Sequence, residues 1–222
     1  PATIKQVYQL LSRLYNWSIK RQAFKGENPC KFVEVPRFDN RVTDFLTPEQ
    51  LKAFLDLVDR ECLYLRLRLI IQFAAFTGKR KGEILQLRWS DVDLENARVT
   101  FRSETVKNRR TQVLPLNEKA MEVLREAKRH QRSVLVFPCR TGKYFHSFQS
   151  CWDRFRKKHH IKFTFHQLRH AYGSLLASSG KTDLYIIQKL LGHRSIQMTE
   201  RYSHLMDETL KNATGILDEV MS

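Results

Sequence analysis

The stretch 63–76 is apolar enough to be buried as a helix, and Gly78 stands where that helix should end. Glycine is the residue that takes left-handed backbone just past a helix without steric cost. The chain then runs directly into Lys79-Arg80-Lys81. A helix this apolar is expected to sit inside a domain, with other elements packed around it.

The rest of the pattern gives that core its partners. Ile4, Val7, Leu10, Leu11, Leu14 and Tyr15 recur at helical spacing, which predicts an amphipathic helix over residues 3–22. A single helix cannot bury its own stripe, so this one needs a docking partner in the chain or in sequence preceding it. Residues 25–46 hold Gly26, Pro29 and Pro36 and show no clean period, which reads as a linker. Thr47-Pro48-Glu49-Gln50 is a helix start, with Thr47 as N-cap, Pro48 in the first position and Gln50 closing a capping box. A second domain is expected to occupy residues 41–222, after a helix-and-linker unit of 1–40. Within it, Glu83 to Leu87 continues as a short helix. Val99, Phe101 and residues 112–116 have strand character around a polar turn at 104–110. Asn117 caps a helix reaching about residue 131, and further helices are expected over 147–159, 166–179, 182–191 and 206–220. Phe163-Thr164-Phe165, just before one of them, is strand-like. The fold class is α+β, mostly α, with one small antiparallel sheet.

Composition narrows the partner. Of 222 residues, 39 are Lys or Arg and 23 Asp or Glu, a net charge of +16. Such an excess favours a polyanion, nucleic acid ahead of a membrane surface. The sequence has no apolar run of transmembrane length and no signal-peptide pattern. Cys30, Cys62, Cys139 and Cys151 are widely spaced without a CxxC pair, as expected of reduced cysteines in a cytoplasmic protein. The opening at Pro1, directly into a helix, suggests a fragment of a longer chain. No cluster with metal-ligand spacing is seen, His159-His160 lacking a third ligand, and no cofactor is expected.

Several side chains can act together on a phosphodiester. Arg80 and Arg169 each offer a planar guanidinium that matches two phosphate oxygens. His166 lies three residues before Arg169, on the same face of a helix whose first amides favour an anion. His193 follows Gly192 at a tight turn, and Tyr202 offers a hydroxyl that can attack phosphorus. Glu83 is within helical reach of Arg80 and can hold its guanidinium, while Lys79 and Lys81 are expected to be solvated or to touch DNA. Singly, each has a plain reading: a surface arginine, a structural histidine, a half-buried tyrosine. The run Arg154-Phe155-Arg156-Lys157-Lys158-His159-His160 is either a solvated helix face or a strip along the DNA backbone.

Taken in order, Thr77-Gly78-Lys79-Arg80-Lys81-Gly82-Glu83, His166-Gln167-Leu168-Arg169-His170 and Leu191-Gly192-His193 with Tyr202-Ser203-His204 resemble the motif boxes of the tyrosine recombinases, the phage-integrase family. The resemblance spans about residues 41–205, the family's catalytic domain, and the first helix with Asn28-Pro29 resembles the end of its core-binding domain. It implies the catalytic set Arg80, Lys107, His166, Arg169, His193 and Tyr202. Arg80 and Arg169 would clamp the phosphate, and His193 would donate to it. His166 would take the tyrosine proton or bind phosphate, and His170 would support the motif from behind. Lys107, on a β-hairpin, would protonate the leaving oxygen. Arg109 and Arg110 are poorer acids for that step, because arginine holds its proton too tightly. The implied function is a site-specific recombinase or integrase of a phage or other mobile element. It would work without metal or ATP through a 3′-phosphotyrosyl intermediate, as a homotetramer on paired sites of double-stranded DNA, with the tail 206–222 packing on a neighbour. A type IB topoisomerase and a catalytically silent DNA-binding protein are the rival readings.

Overall fold

The computed structural model describes residues 2–34, 46–102, 111–127 and 133–206. The expected turn at 104–110, with Lys107, Arg109 and Arg110, lies outside them, as does the tail from residue 207. Two compact units divide the chain, Pro1–Val42 and Thr43–Ser222.

In the first unit, α1 (Ala2–Lys20) is the expected amphipathic helix, and Ile4, Leu10, Leu14 and Trp17 on it are exposed. Residues 28–34 of the supposed linker are more ordered than their composition suggests. A short 3-10 turn, Pro29–Phe32, is capped by Asn28, whose buried amide also donates to the Ser12 carbonyl and to Asn16 Oδ1. The Tyr8 hydroxyl donates to the Cys30 carbonyl at 2.9 Å. An asparagine that satisfies several backbone and side-chain groups at once does locally what hydrophobic periodicity does not report.

The second unit is built around a central helix. α2 (Pro48–Glu61) begins with the capping box of Thr47 and Gln50. α3 (Leu65–Thr77) is buried along most of its length and ends at Gly78, with φ of 62°. α4 (Lys81–Leu85) follows at once and starts two residues earlier than its apolar residues suggested. A three-stranded antiparallel sheet comes next: β1 (Val92–Asp93), which periodicity did not show, β2 (Arg98–Phe101) and β3 (Gln112–Pro115). The β2–β3 register pairs Val99 with Leu114 and Phe101 with Gln112, so Val99 and Phe101 face the core. α5 (Glu118–Glu126) is capped by Asn117, whose amide also donates to the Phe76 carbonyl at 2.7 Å and so ties this helix to the end of α3.

α6 (Phe148–Lys158), α7 (Phe165–Ser178) and α8 (Leu184–Leu191) complete the helical shell. Phe163–Phe165 is no strand: Thr164 and Gln167 form a capping box, and Phe165 opens α7. Its aromatic rings belong to the core instead. Phe54, Phe148, Phe163, Phe165 and Trp152 pack edge to face, the arrangement favoured by ring quadrupoles. A smaller apolar cluster joins α7 and α8 to the segment after them, through Ala177, Ile187, Leu191, Tyr202 and Met206.

Gly78 shows how tightly the turn after α3 is specified. A Cβ there would lie 2.5 Å from Tyr172 Cδ1, on backbone that L-residues rarely adopt. Gly78→Ala should therefore cost about 2 kcal/mol or more. The expected readout is a lower urea midpoint with an unchanged slope; an unchanged midpoint would contradict the packing described.

Candidate active site

Two glycine-capped helix ends and the first turns of α7 converge on one basin. Gly78 ends α3 and turns the chain into Lys79-Arg80; Gly192, with φ of 67°, ends α8 and turns it into His193. Arg169, on α7, joins the two turns. Its Nη1 donates to the Gly78 carbonyl at 2.8 Å and its Nη2 to the Leu191 carbonyl at 2.6 Å. The guanidinium is buried, with 3% of its residue surface exposed. Five N–H donors are available to an arginine, so these two bonds leave capacity for an anion.

Arg80 is held as expected. Its Nη1 donates to Glu83 Oε1 at 2.8 Å, and its backbone N–H donates to the other carboxylate oxygen at 3.2 Å. Glu83 is buried, so the carboxylate fixes the guanidinium and helps neutralise the cations near it. Lys79 departs from expectation. It is neither solvated nor on the surface but buried, with its ammonium 4.7 Å from the Phe101 ring centre and 3.4 Å from Gln112 Oε1. The reason is topological: β2 and β3 cover the turn after α3, a long-range packing invisible in the motif itself.

Arg80, His166, Arg169, His170, His193, Arg194 and Arg201, together with Met198, line a basin of about 480 Å³. Among the described residues, none that lines it is acidic. The neighbouring cleft brings Lys81 and Arg156 towards His166, so part of the basic run on α6 continues the same positive surface. Lys107 lies outside the described residues, and the other five expected site residues come together in and beside this basin.

The hydroxyl of Tyr202 does not open into it. Tyr202 is fully buried, and its Oη is 3.0 Å from His170 Nδ1. His166, exposed at the start of α7, packs its ring edge-on against His170 at 4.9 Å. The sequence reading left His170 as a supporting residue; the structure makes it the imidazole that meets the tyrosine. Its proximity to Tyr202 across 32 positions of chain is a tertiary fact, and the only sequence signal was that it adjoins Arg169. Gly173, one turn along α7, leaves room for the phenol: a Cβ there would lie 2.7 Å from Tyr202 Cζ.

The electrostatics of the site all lean one way. Burial, reinforced by Arg80, lowers Arg169 to about 10, so it stays charged at neutral pH. Burial, then the neighbouring arginines, lowers His193 to about 3; burial, then His166 and the arginines, lowers His170 to about 4. Both rings are neutral at pH 7. Burial raises Tyr202 above its ordinary value, against the pull of Arg169 and Arg201. The shifts of Arg169, His193 and His170 report desolvation and positive charge that Glu83 offsets only in part, and that of Tyr202 reports desolvation. Among the described residues, no group of three or more His, Cys, Asp or Glu could hold a metal ion. No described helix is long and apolar enough to cross a membrane.

A mostly helical domain with this sheet and this arginine-histidine basin defines the catalytic domain of a tyrosine recombinase. The phage integrase family profile matches residues 44–209, and the chain belongs to that family. The tyrosine recombinase XerD of Vibrio cholerae is 27% identical over 228 residues, covering 95% of this chain and 73% of that protein. The Tn1549 transposon integrase in complex with transposon right end DNA shares the fold with a TM-score of 0.75 at 20% identity, over 98% of this chain and 79% of that one. A lambda integrase tetramer bound to a Holliday junction matches with a TM-score of 0.70 at 22% identity, over 87% and 59% of the respective chains.

Lys79 supplies a pH test of the buried site. Burial lowers it from 10.5 to about 7, against the attraction of Glu83 and with the repulsion of Arg169 and Arg80. Between these values the unfolded chain binds the proton that the folded one has released, so this residue's contribution to stability rises with pH. Relative to Lys79→Met, the wild type should gain stability from about pH 7 towards about 10.5. The steepest gain should be on the order of 1 kcal/mol per pH unit. Denaturant titrations of both proteins across this range check it, and a pH-independent difference would show that Lys79 reaches solvent.

Proposed function

We propose that this chain is a site-specific DNA recombinase that cuts and rejoins double-stranded DNA through Tyr202. The observation that carries the reading is the basin itself: Arg80, Arg169 and His193 converge on a cationic space with room for a phosphodiester, and Tyr202 stands beside it behind His170.

In this reading the scissile phosphate enters between Arg80 and Arg169, which stabilise the charge that grows on its equatorial oxygens. His193 donates a hydrogen bond to one of them. His170 accepts the Tyr202 proton as the phenol oxygen bonds to phosphorus, while His166 binds the phosphate or relays that proton. The P–O5′ bond breaks, and Lys107 supplies the proton that turns the departing oxygen into a hydroxyl. The products are a 3′-phosphotyrosyl bond and a free 5′ hydroxyl. A 5′ hydroxyl of another strand reverses each step, so the phosphoester bond is conserved and no nucleotide cofactor is consumed.

The shifts describe why the free protein is safe. With His170 lowered to about 4 and Tyr202 raised above its ordinary value, proton transfer between them is strongly uphill. A phosphodiester beside His170 raises the imidazole, and bonding to phosphorus removes the demand that a free phenolate exist. Because the Tyr202 ring is buried, attack also requires the 3-10 segment Glu200–Leu205 to release it.

We infer further that residues 1–40 end a core-binding domain, and that four copies act on paired sites, as the lambda integrase tetramer does on a Holliday junction. The residues beyond Met206 are the candidate bridge between copies. Supercoil relaxation without strand exchange would favour a topoisomerase instead.

Covalent trapping tests the core of the proposal. Incubated in EDTA with a pool of nicked duplexes of randomised sequence, the protein should form an adduct that survives denaturation, and Tyr202→Phe should form none while still binding DNA. An adduct in the variant, or a strict need for magnesium, would exclude this chemistry.

Lys107 has its own test, because an alkoxide is a poor leaving group and a thiolate a good one. Lys107→Ala should slow cleavage by roughly 10²–10⁴-fold on an ordinary bridging oxygen. A substrate with sulfur at the 5′ bridging position should restore most of that rate, but not the rate of Arg80→Ala. Rescue of Arg80→Ala alone would reverse the two assignments.

A further inference from the structure

Thr199 stands where the two reacting halves of the site meet. It is fully buried, and its Oγ1 lies 2.8 Å from His193 Nδ1. Its carbonyl accepts the Tyr202 backbone N–H at 2.9 Å, and its own N–H donates to the Ile196 carbonyl at 2.7 Å. One residue thus bonds the histidine that faces the basin and the first turn of the segment that carries the tyrosine.

The direction of the side-chain bond follows from the chemistry on either side of the ring. His193 lines the basin with Nδ1 turned to Thr199, so Nε2 is the nitrogen a basin anion can reach. A phosphate oxygen without a proton only accepts hydrogen bonds, so Nε2 has to carry one. A neutral imidazole has one N–H, which leaves Nδ1 as an acceptor. The burial and the arginines that lower His193 keep it neutral in the free protein. A threonine hydroxyl is a donor that a buried ring can rely on, and its methyl group fills the same apolar space that a valine would. Gln188 also holds the histidine's backbone: its Nε2 donates to the His193 carbonyl at 3.4 Å, and its own carbonyl accepts the His193 N–H at 3.0 Å.

We propose that Thr199 is a positioning residue: its hydroxyl donates to His193 Nδ1, fixes the Nε2–H tautomer that donates to the scissile phosphate, and ties that histidine to the turn bearing Tyr202. The inference rests on the phosphate-binding role of His193 in the reading above.

The test uses the full chain and a nicked duplex recovered by covalent capture from the randomised pool. Nitrogen chemical shifts of His193 should report the Nε2–H tautomer in the wild type and in Thr199→Ser, and a mixture of tautomers in Thr199→Val. At saturating DNA, Thr199→Val should slow cleavage about tenfold, the equivalent of one neutral hydrogen bond, with DNA affinity changed by less than about twofold. Thr199→Ser should restore most of the rate. In a His193→Ala background, Thr199→Val should slow cleavage by less than about twofold more, because the partner it positions is gone. Equal slowing in both backgrounds would make Thr199 a packing residue of the tyrosine segment and overturn the inference. So would an unchanged Thr199→Val rate beside a slow His193→Ala. If His193→Ala itself cleaves normally, the role given to His193 fails first, and the positioning role falls with it.

Discussion

The buried Arg169 guanidinium is the interaction on which the site depends. It spans the carbonyls of Gly78 and Leu191, at the C-terminal ends of α3 and α8. These ends are the negative poles of their helices, so a buried cation there is stabilised where an isolated one would be expelled. The same two carbonyls belong to the turns that aim Arg80 and His193. One side chain therefore organises both motif segments and keeps further donors free of these two bonds, and a lysine, with a point charge and no fork, cannot do the same.

The surrounding charges explain why the basin selects an anion. Arg80 and Arg169 repel each other, Lys79 and the two imidazoles are driven towards their neutral forms, and Glu83 offsets only part of the excess. An anion in the basin relieves the repulsion among these cations, so its binding is favoured over that of a neutral ligand. Burial raises the stakes, because charges in a desolvated site act more strongly than on the surface.

Tyr202 shows the opposite requirement. Its ring is held in a fully buried apolar cluster, against the open face of Gly173. Its hydroxyl is nonetheless satisfied by His170, which avoids the cost of an unpaired buried polar group. Thr199 links this sheltered segment to the basin, bonding both His193 and the Tyr202 backbone.

Much of this architecture is local and therefore readable in the chain. The capping box at Thr47 and Gln50, the end of α3 at Gly78, the start of α5 at Asn117 and the pairing of Arg80 with Glu83 all depend on residues a few positions apart. The motif boxes located the arginines, histidines and tyrosine by resemblance, since no single one of them announces its role. What escaped was set by contacts far apart in sequence. The Asn28 turn in the supposed linker depends on carbonyls one helix away. Lys79 is buried because β2 and β3 lie over it, and His170 meets the phenol 32 residues on. The sequence by itself determined which charges and which nucleophile this protein carries, because those are properties of side chains and short-range spacing. Only the tertiary structure decided which imidazole touches the tyrosine, which cation is desolvated and which hydroxyl holds His193. Proximity and dielectric environment arise from packing between distant segments, and no local pattern encodes them.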